Sequence, residues 1–220
     1  MNSAVVKEKN IWEVVKLDTR THKLLAGKIH DYFAKDDIWL SKTALTWGSI
    51  KPDIIESEIS HFKDETIEIF YEQYEELKDI NPDQNPYKFA VNLGELFHYI
   101  SDYFSRAHTD SELEAGTFFE KTKHIFYEWK LNRVAQNLHP DFFKKDIETR
   151  PAHKKTLANF IEEEHQKFMD QEYTFKNDID AAFRICVLMT NKLVYEMQAQ
   201  HSYAFSYEFN LRHRLLYQNA

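Results

Sequence analysis

The sequence predicts an all-α fold, a multi-helix bundle built as a single domain over residues 1–220, and three observations lead there. Only four glycines and five prolines occur in 220 residues, too few for the many tight turns of a β-rich chain. Apolar residues recur at intervals of three and four through most of the length, the period of a helix with one buried face. The hydrophobic fraction of 43% is enough for a sizeable core. No internal repeat, low-complexity tract or linker divides that core into two.

The elements follow in chain order. Leu24, Leu25, Ile29 and Phe33 place a first helix within residues 10 to 34, with Asp18 or Thr21 as its cap. The stretch Trp47 to Asp53 reads as a loop, because Gly48 and Pro52 bracket it. An acidic helix is expected at 64–79, closed by the run from Asn81 to Pro86. The most regular helix spans Tyr87 to Ser105 and sets Ala90, Val91, Gly94, Phe97 and Ser101 near one face. Further helices are expected near 117–136, 152–171 and 178–215, the last as one helix or two, with Pro140 and Pro151 marking connections.

A formal net charge of −8 argues against a broad polyanion-binding surface, so a nucleic-acid partner is not expected. A local cationic centre supplied by bound metal remains compatible with it. The single cysteine, Cys186, excludes an intramolecular disulfide. Its neighbours Ile185, Val187, Leu188 and Met189 mark it as a small buried hydrophobe rather than a nucleophile. The segment Met1 to Lys9 lacks the apolar stretch of a secretory signal, and no uncharged run is long enough to be a transmembrane segment. The expectation is a soluble, cytoplasmic protein.

The chemistry-bearing residues concentrate in the middle of the chain. On a helix, His98 and Asp102 lie one turn apart on one face, so an imidazole and a carboxylate can share a cation. His108 follows near the end of that helix. Sixteen residues later His124 and Glu128 repeat the same spacing. Nitrogen and oxygen donors of this kind suit zinc, and the carboxylates tolerate harder metals. A buried cluster of ionisable groups is costly unless it is paired or holds a cation. His30, His139, His153, His165, His201 and His213 have no such companion, and Glu162 to Glu164 beside His165 read as a solvated acidic face.

These residues resemble the zinc-dependent phospholipases C and, more distantly, the single-strand nucleases with a trinuclear zinc site. Gly94, Glu95 and Leu96 lead into His98, Tyr99 and Asp102 as the family's central helix does, and His108, His124 and Glu128 fall at its spacings. Upstream, Ser60-His61-Phe62 is similar to its S-H-F segment, Asp53 to the acidic ligand before it, and Thr21-His22 to its first histidine ligand. The resemblance implies an all-α fold and two or three zinc ions in three positions. One would use Asp53, His61, His98 and Asp102. A second would use His108, His124 and Glu128. A third would use His22, with Asp102 bridging to the first. It also implies attack of a metal-activated water on a phosphate ester, a phospholipid or a soluble ester, with Asp53 as general base. The other readings are a nuclease-like phosphodiesterase and a non-catalytic, metal-stabilised helical scaffold.

The chain departs from the family pattern at two points. The family completes its third metal with the amine and carbonyl of an N-terminal tryptophan, whereas the nearest tryptophan here is the internal Trp12, read as a core residue. Arg106 stands where the family often has proline, and reads as a solvated arginine in preference to a phosphate contact.

Overall fold

The computed structural model describes residues 3–34, 40–55, 61–109 and 118–201. Its elements are α1 (Ser3–Ala34), α2 (Lys42–Ile55), α3 (Lys63–Lys78), α4 (Pro86–Tyr103), α5 (Phe118–Asn137), α6 (Arg150–His153), α7 (Leu157–Met169) and α8 (Phe175–His201). The fold is all-α, and the described residues contain no strand. Among them, no helix is long and apolar enough to cross a membrane.

Helix α4 is the axis of the molecule. Pro86 opens it, where a missing N–H costs nothing, and every residue from Leu93 to Tyr103 is buried. It packs most extensively on α2 and also meets α1, α3 and α8. Leu25 and Ile29 of α1, Leu45 of α2, Phe70 and Tyr74 of α3, and Val187 and Leu193 of α8 close one apolar cluster around it. Cys186 lies fully buried in that cluster with Sγ 3.9 Å from the Phe97 carbonyl, in keeping with a small hydrophobe.

Several sequence expectations need correction. Residues 47–53 form no loop: they lie inside α2, with Pro52 as an interior residue. Gly48 is there for close approach, since a Cβ on it would stand 2.0 Å from the Val91 carbonyl oxygen. Gly94 answers from the other side, where a Cβ would stand 2.3 Å from the Leu45 carbonyl oxygen. Two glycines thus let the α2 and α4 backbones touch, and Asp53 is carried on a helix. Asp18 and Thr21 do not begin the first helix, because both lie inside α1, which runs unbroken from Ser3. The expected helix 152–171 is two helices: Thr156 starts α7 by accepting the Asn159 N–H on its hydroxyl, which ends the preceding turn. Helix α8 begins three residues early, where Thr174 Oγ1 accepts the Asn177 N–H, and the expected portion 202–215 lies outside the described residues. The side chain of Trp12 lies outside them as well.

Arg106 is neither solvated nor free for a phosphate. Its guanidinium donates to the carbonyls of Phe168, Met169 and Gln171 at 3.1–3.3 Å, closing the C-terminus of α7, and stacks over the Phe168 ring. These carbonyls are the ones a helix end leaves without internal donors.

A candidate metal centre

Five segments deliver the eight predicted residues to one place. Helix α1 brings His22, α2 brings Asp53, the residue pair before α3 brings His61, α4 and the 3₁₀ turn after it bring His98, Asp102 and His108, and α5 brings His124 and Glu128. The turn forms because Ser105 is extended and breaks α4, after which its carbonyl accepts the His108 N–H at 3.0 Å. His108 thereby swings back over the end of α4.

Asp102 is the hub. Its Oδ1 lies 3.2 Å from His22 Nε2 and 3.8 Å from His108 Nε2. Its Oδ2 lies 2.8 Å from His61 Nδ1 and 3.4 Å from His98 Nε2. His98 Nε2 is also 3.1 Å from His61 Nδ1 and 3.7 Å from Asp53 Oδ1. Farther along, His108 Nε2 lies 3.8 Å from Glu128 Oε1, and the His108 and His124 rings are 4.9 Å apart. Two donors on one tetrahedral zinc, each about 2.1 Å from the ion, stand roughly 3.4 Å apart. Among the described residues the donors fall into three groups, two of them sharing His98, whose ligand atoms lie within 4.8 Å of one another: His22, His98 and Asp102; Asp53, His61 and His98; His108, His124 and Glu128.

Neighbouring groups aim the rings. His98 Nδ1–H donates to the Ser49 carbonyl at 3.1 Å, which leaves Nε2 with its lone pair toward the cluster. Ser101 donates its hydroxyl to the His98 carbonyl, so its oxygen accepts from His22 Nδ1–H at 3.1 Å and likewise frees His22 Nε2. Among the described residues, Asp53 Oδ2, His108 Nδ1 and His124 Nδ1 are buried without a hydrogen-bond partner. Buried polar atoms without partners are costly, and the spare oxygen of the Asp53 carboxylate is one that a cation would satisfy.

The proton inventory has the same pattern. Burial would raise the Asp102 carboxyl, but His22, His108 and His98 hold it well below the usual carboxylate range. Burial would lower His22, yet the Asp102 carboxylate pushes it up to about 10, and His61 is raised for the same reasons. Burial keeps His98 well below its ordinary value, His108 down at about 3, and His124 low. Three imidazoles are therefore neutral and ready to donate lone pairs, while His22 carries a proton that a metal would displace. Burial raises Asp53.

Of the other histidines, His30 Nε2 bonds the Leu40 carbonyl, His139 sits at the exposed turn by Pro140, His153 stacks on Tyr195 and His165 meets the edge of Phe104. None joins the donor sets; the side chain of His201 and all of His213 lie outside the described residues. Tyr99, Tyr103 and Phe104 are core residues, and Phe62 presents its edge to His108. Residue spacing did not point to Ser49 or Ser101: one acts through its main chain and the other is a polar residue on an apolar helix, a faint signal.

The family model for zinc dependent phospholipase C matches residues 21–175, a span that holds all eight residues of the cluster. No curated protein and no solved structure matches the chain.

Proposed function

The chain belongs to the zinc-dependent phospholipase C family, and on that premise we propose that it is a zinc-dependent phosphoric ester hydrolase acting on a phosphodiester of the phospholipid type. The observation that carries this reading is the Asp102 carboxylate, whose two oxygens face different histidines, His22 on one side and His61 with His98 on the other. A single buried carboxylate spanning two donor sets suits a site of adjacent cations, which phosphoryl transfer uses to neutralise attacking and leaving oxygens.

Zinc, when bound, supplies Lewis acidity to the phosphoryl oxygens and makes water acidic enough to lose a proton near neutral pH. In this reading Asp53, His61, His98 and Asp102 hold one ion, and His108, His124 and Glu128 a second. His22, with Asp102 shared, offers a third position. Asp53 has a further role as general base: Oδ1 faces His98 while Oδ2 has no partner, so one oxygen can receive a proton from water. The oxygen of that water bonds to phosphorus, and the alcohol oxygen of the ester leaves and takes up a proton. Ser49 and Ser101 orient His98 and His22.

Zinc-loaded protein should hydrolyse phosphatidylcholine vesicles to diacylglycerol and the phosphorylated headgroup, or bis(p-nitrophenyl) phosphate as a soluble diester. Chelation should abolish the reaction and added zinc restore it. A fully loaded protein that cleaves neither substrate sinks the catalytic reading and favours a metal-stabilised scaffold.

A further inference from the structure

Behind the cluster lies a small cavity, with about 20 Å³ of space open to the centre of a water molecule. It is lined by His22, Asp102 and Glu128 of the cluster and by Thr21, Ser105 and Asp178. The latter three are 4%, 5% and 2% exposed, and Thr21 Oγ1, Ser105 Oγ and Asp178 Oδ1 have no hydrogen-bond partner among the described residues. Asp178 is held firmly by its other oxygen, which accepts the Arg106 backbone N–H at 2.9 Å and the Tyr127 hydroxyl. One carboxylate oxygen is thus fixed by α5 and the 3₁₀ turn, and the other is left over in a small pocket with two hydroxyls that have no partner among the described residues. A buried carboxylate oxygen with no donor is expensive, and this pocket is polar and large enough for about one water.

We propose that Asp178, Thr21 and Ser105 form the closing wall of a third cation site: they hold a water that presents its oxygen to a cation bound by His22 Nε2 and Asp102 Oδ1. Water has two protons to give, which Asp178 Oδ1 and the Thr21 hydroxyl oxygen accept, and two lone pairs, one presented to the ion and one able to take the Ser105 hydroxyl proton. The ligands come from inside the fold, from α1, α4 and α8, and a carboxylate that accepts a proton of the ligand water strengthens its donation. Asp178 lies beyond the span that matches the family model, so this wall is a property of the whole chain. The proposal rests on the zinc-dependent reading above, which supplies the cation.

The test is zinc content at buffered free zinc, by elemental analysis of the full chain, for the native protein, Asp178→Asn and Thr21→Val. The asparagine keeps an acceptor for Arg106 and Tyr127 but turns an amide toward the cavity. The valine removes only the hydroxyl. The native protein should take up three ions, and each variant should bind the weakest of them about 10- to 100-fold less tightly, with the other two unchanged. Urea unfolding of the metal-free proteins, showing a cooperative transition in each, confirms that the loss is local. Saturation of the native protein at two ions, or an unchanged third affinity in both variants, overturns the proposal alone. A native protein that binds no zinc overturns it together with the reading on which it rests.

Discussion

Gly94→Ala is the sharpest perturbation of the scaffold that positions the site. The added Cβ would stand 2.3 Å from the Leu45 carbonyl oxygen, 2.8 Å from Ser49 N and 2.9 Å from Gly48 Cα. Ordinary contact begins near 3.4 Å, so α2 must withdraw from α4 by about 1.1 Å, the difference between 3.4 and 2.3. All three atoms are helix backbone, and no side-chain rotation relieves the overlap. Overpacking of this kind costs about 1–3 kcal/mol, offset by up to ~1 kcal/mol from replacing glycine in a helix. The same withdrawal would stretch the His98 Nδ1 bond to the Ser49 carbonyl from 3.1 Å past useful length, and carry Asp53 away from His98. Urea unfolding of the metal-free protein should show a loss of about 1–2 kcal/mol, and zinc affinity, measured against a competing chelator, should fall about 10- to 100-fold. Gly27→Ala is the control: its nearest neighbour would be the flexible end of Lys42 at 3.6 Å, and it should stabilise by up to ~1 kcal/mol. If Gly94→Ala unfolds at the native urea concentration and keeps its zinc affinity, the claim that backbone contact sets the site is wrong.

Other perturbations probe the charges. His22 is raised to about 10 in the metal-free protein because Asp102 overrides burial. Its contribution to stability is therefore complete below the unfolded value near 6.5 and is lost as pH rises through about 10. At pH 7 zinc must displace that proton, so calorimetry in buffers of different ionisation enthalpy should show net proton release, and affinity should climb with pH; binding at pH 7 without release contradicts the pairing. Asp102→Ala leaves His22 and His61 without their carboxylate and should destabilise the metal-free protein by about 3–5 kcal/mol, with at most one zinc retained by elemental analysis. Arg106→Ala removes the Nη2 group shared by three carbonyls at the end of α7 and should cost about 2 kcal/mol in chemical denaturation. An unmoved midpoint would return Arg106 to the solvent.

What the chain discloses without a structure is set by the range of the interaction involved. The i, i+4 pairs of α4 and α5 are local, so their spacing already places His98 with Asp102 and His124 with Glu128 on common faces. The acidic helix α3 was equally legible, within one residue at each end. Helix α2 was not, because Gly48 and Pro52 carry the marks of a loop while the reason for Gly48 is a carbonyl on Val91, brought in by tertiary contact. Arg106 shows the same limit: its acceptors are more than sixty residues away and are main-chain atoms, which leave no trace in residue type. Asp178 carries no motif at all, and its meaning appears only when Arg106 and Tyr127 are seen to occupy one of its oxygens.

The central claim is that Asp102 is shared between neighbouring cations. Crystals of the zinc-loaded chain, measured on both sides of the zinc absorption edge, test it most directly. Anomalous peaks should flank the Asp102 carboxylate, one within about 2.1 Å of His98 Nε2 and another at a like distance from His22 Nε2. A carboxylate bonded only to protonated histidines, with no peak beside it in zinc-saturated crystals, would contradict it.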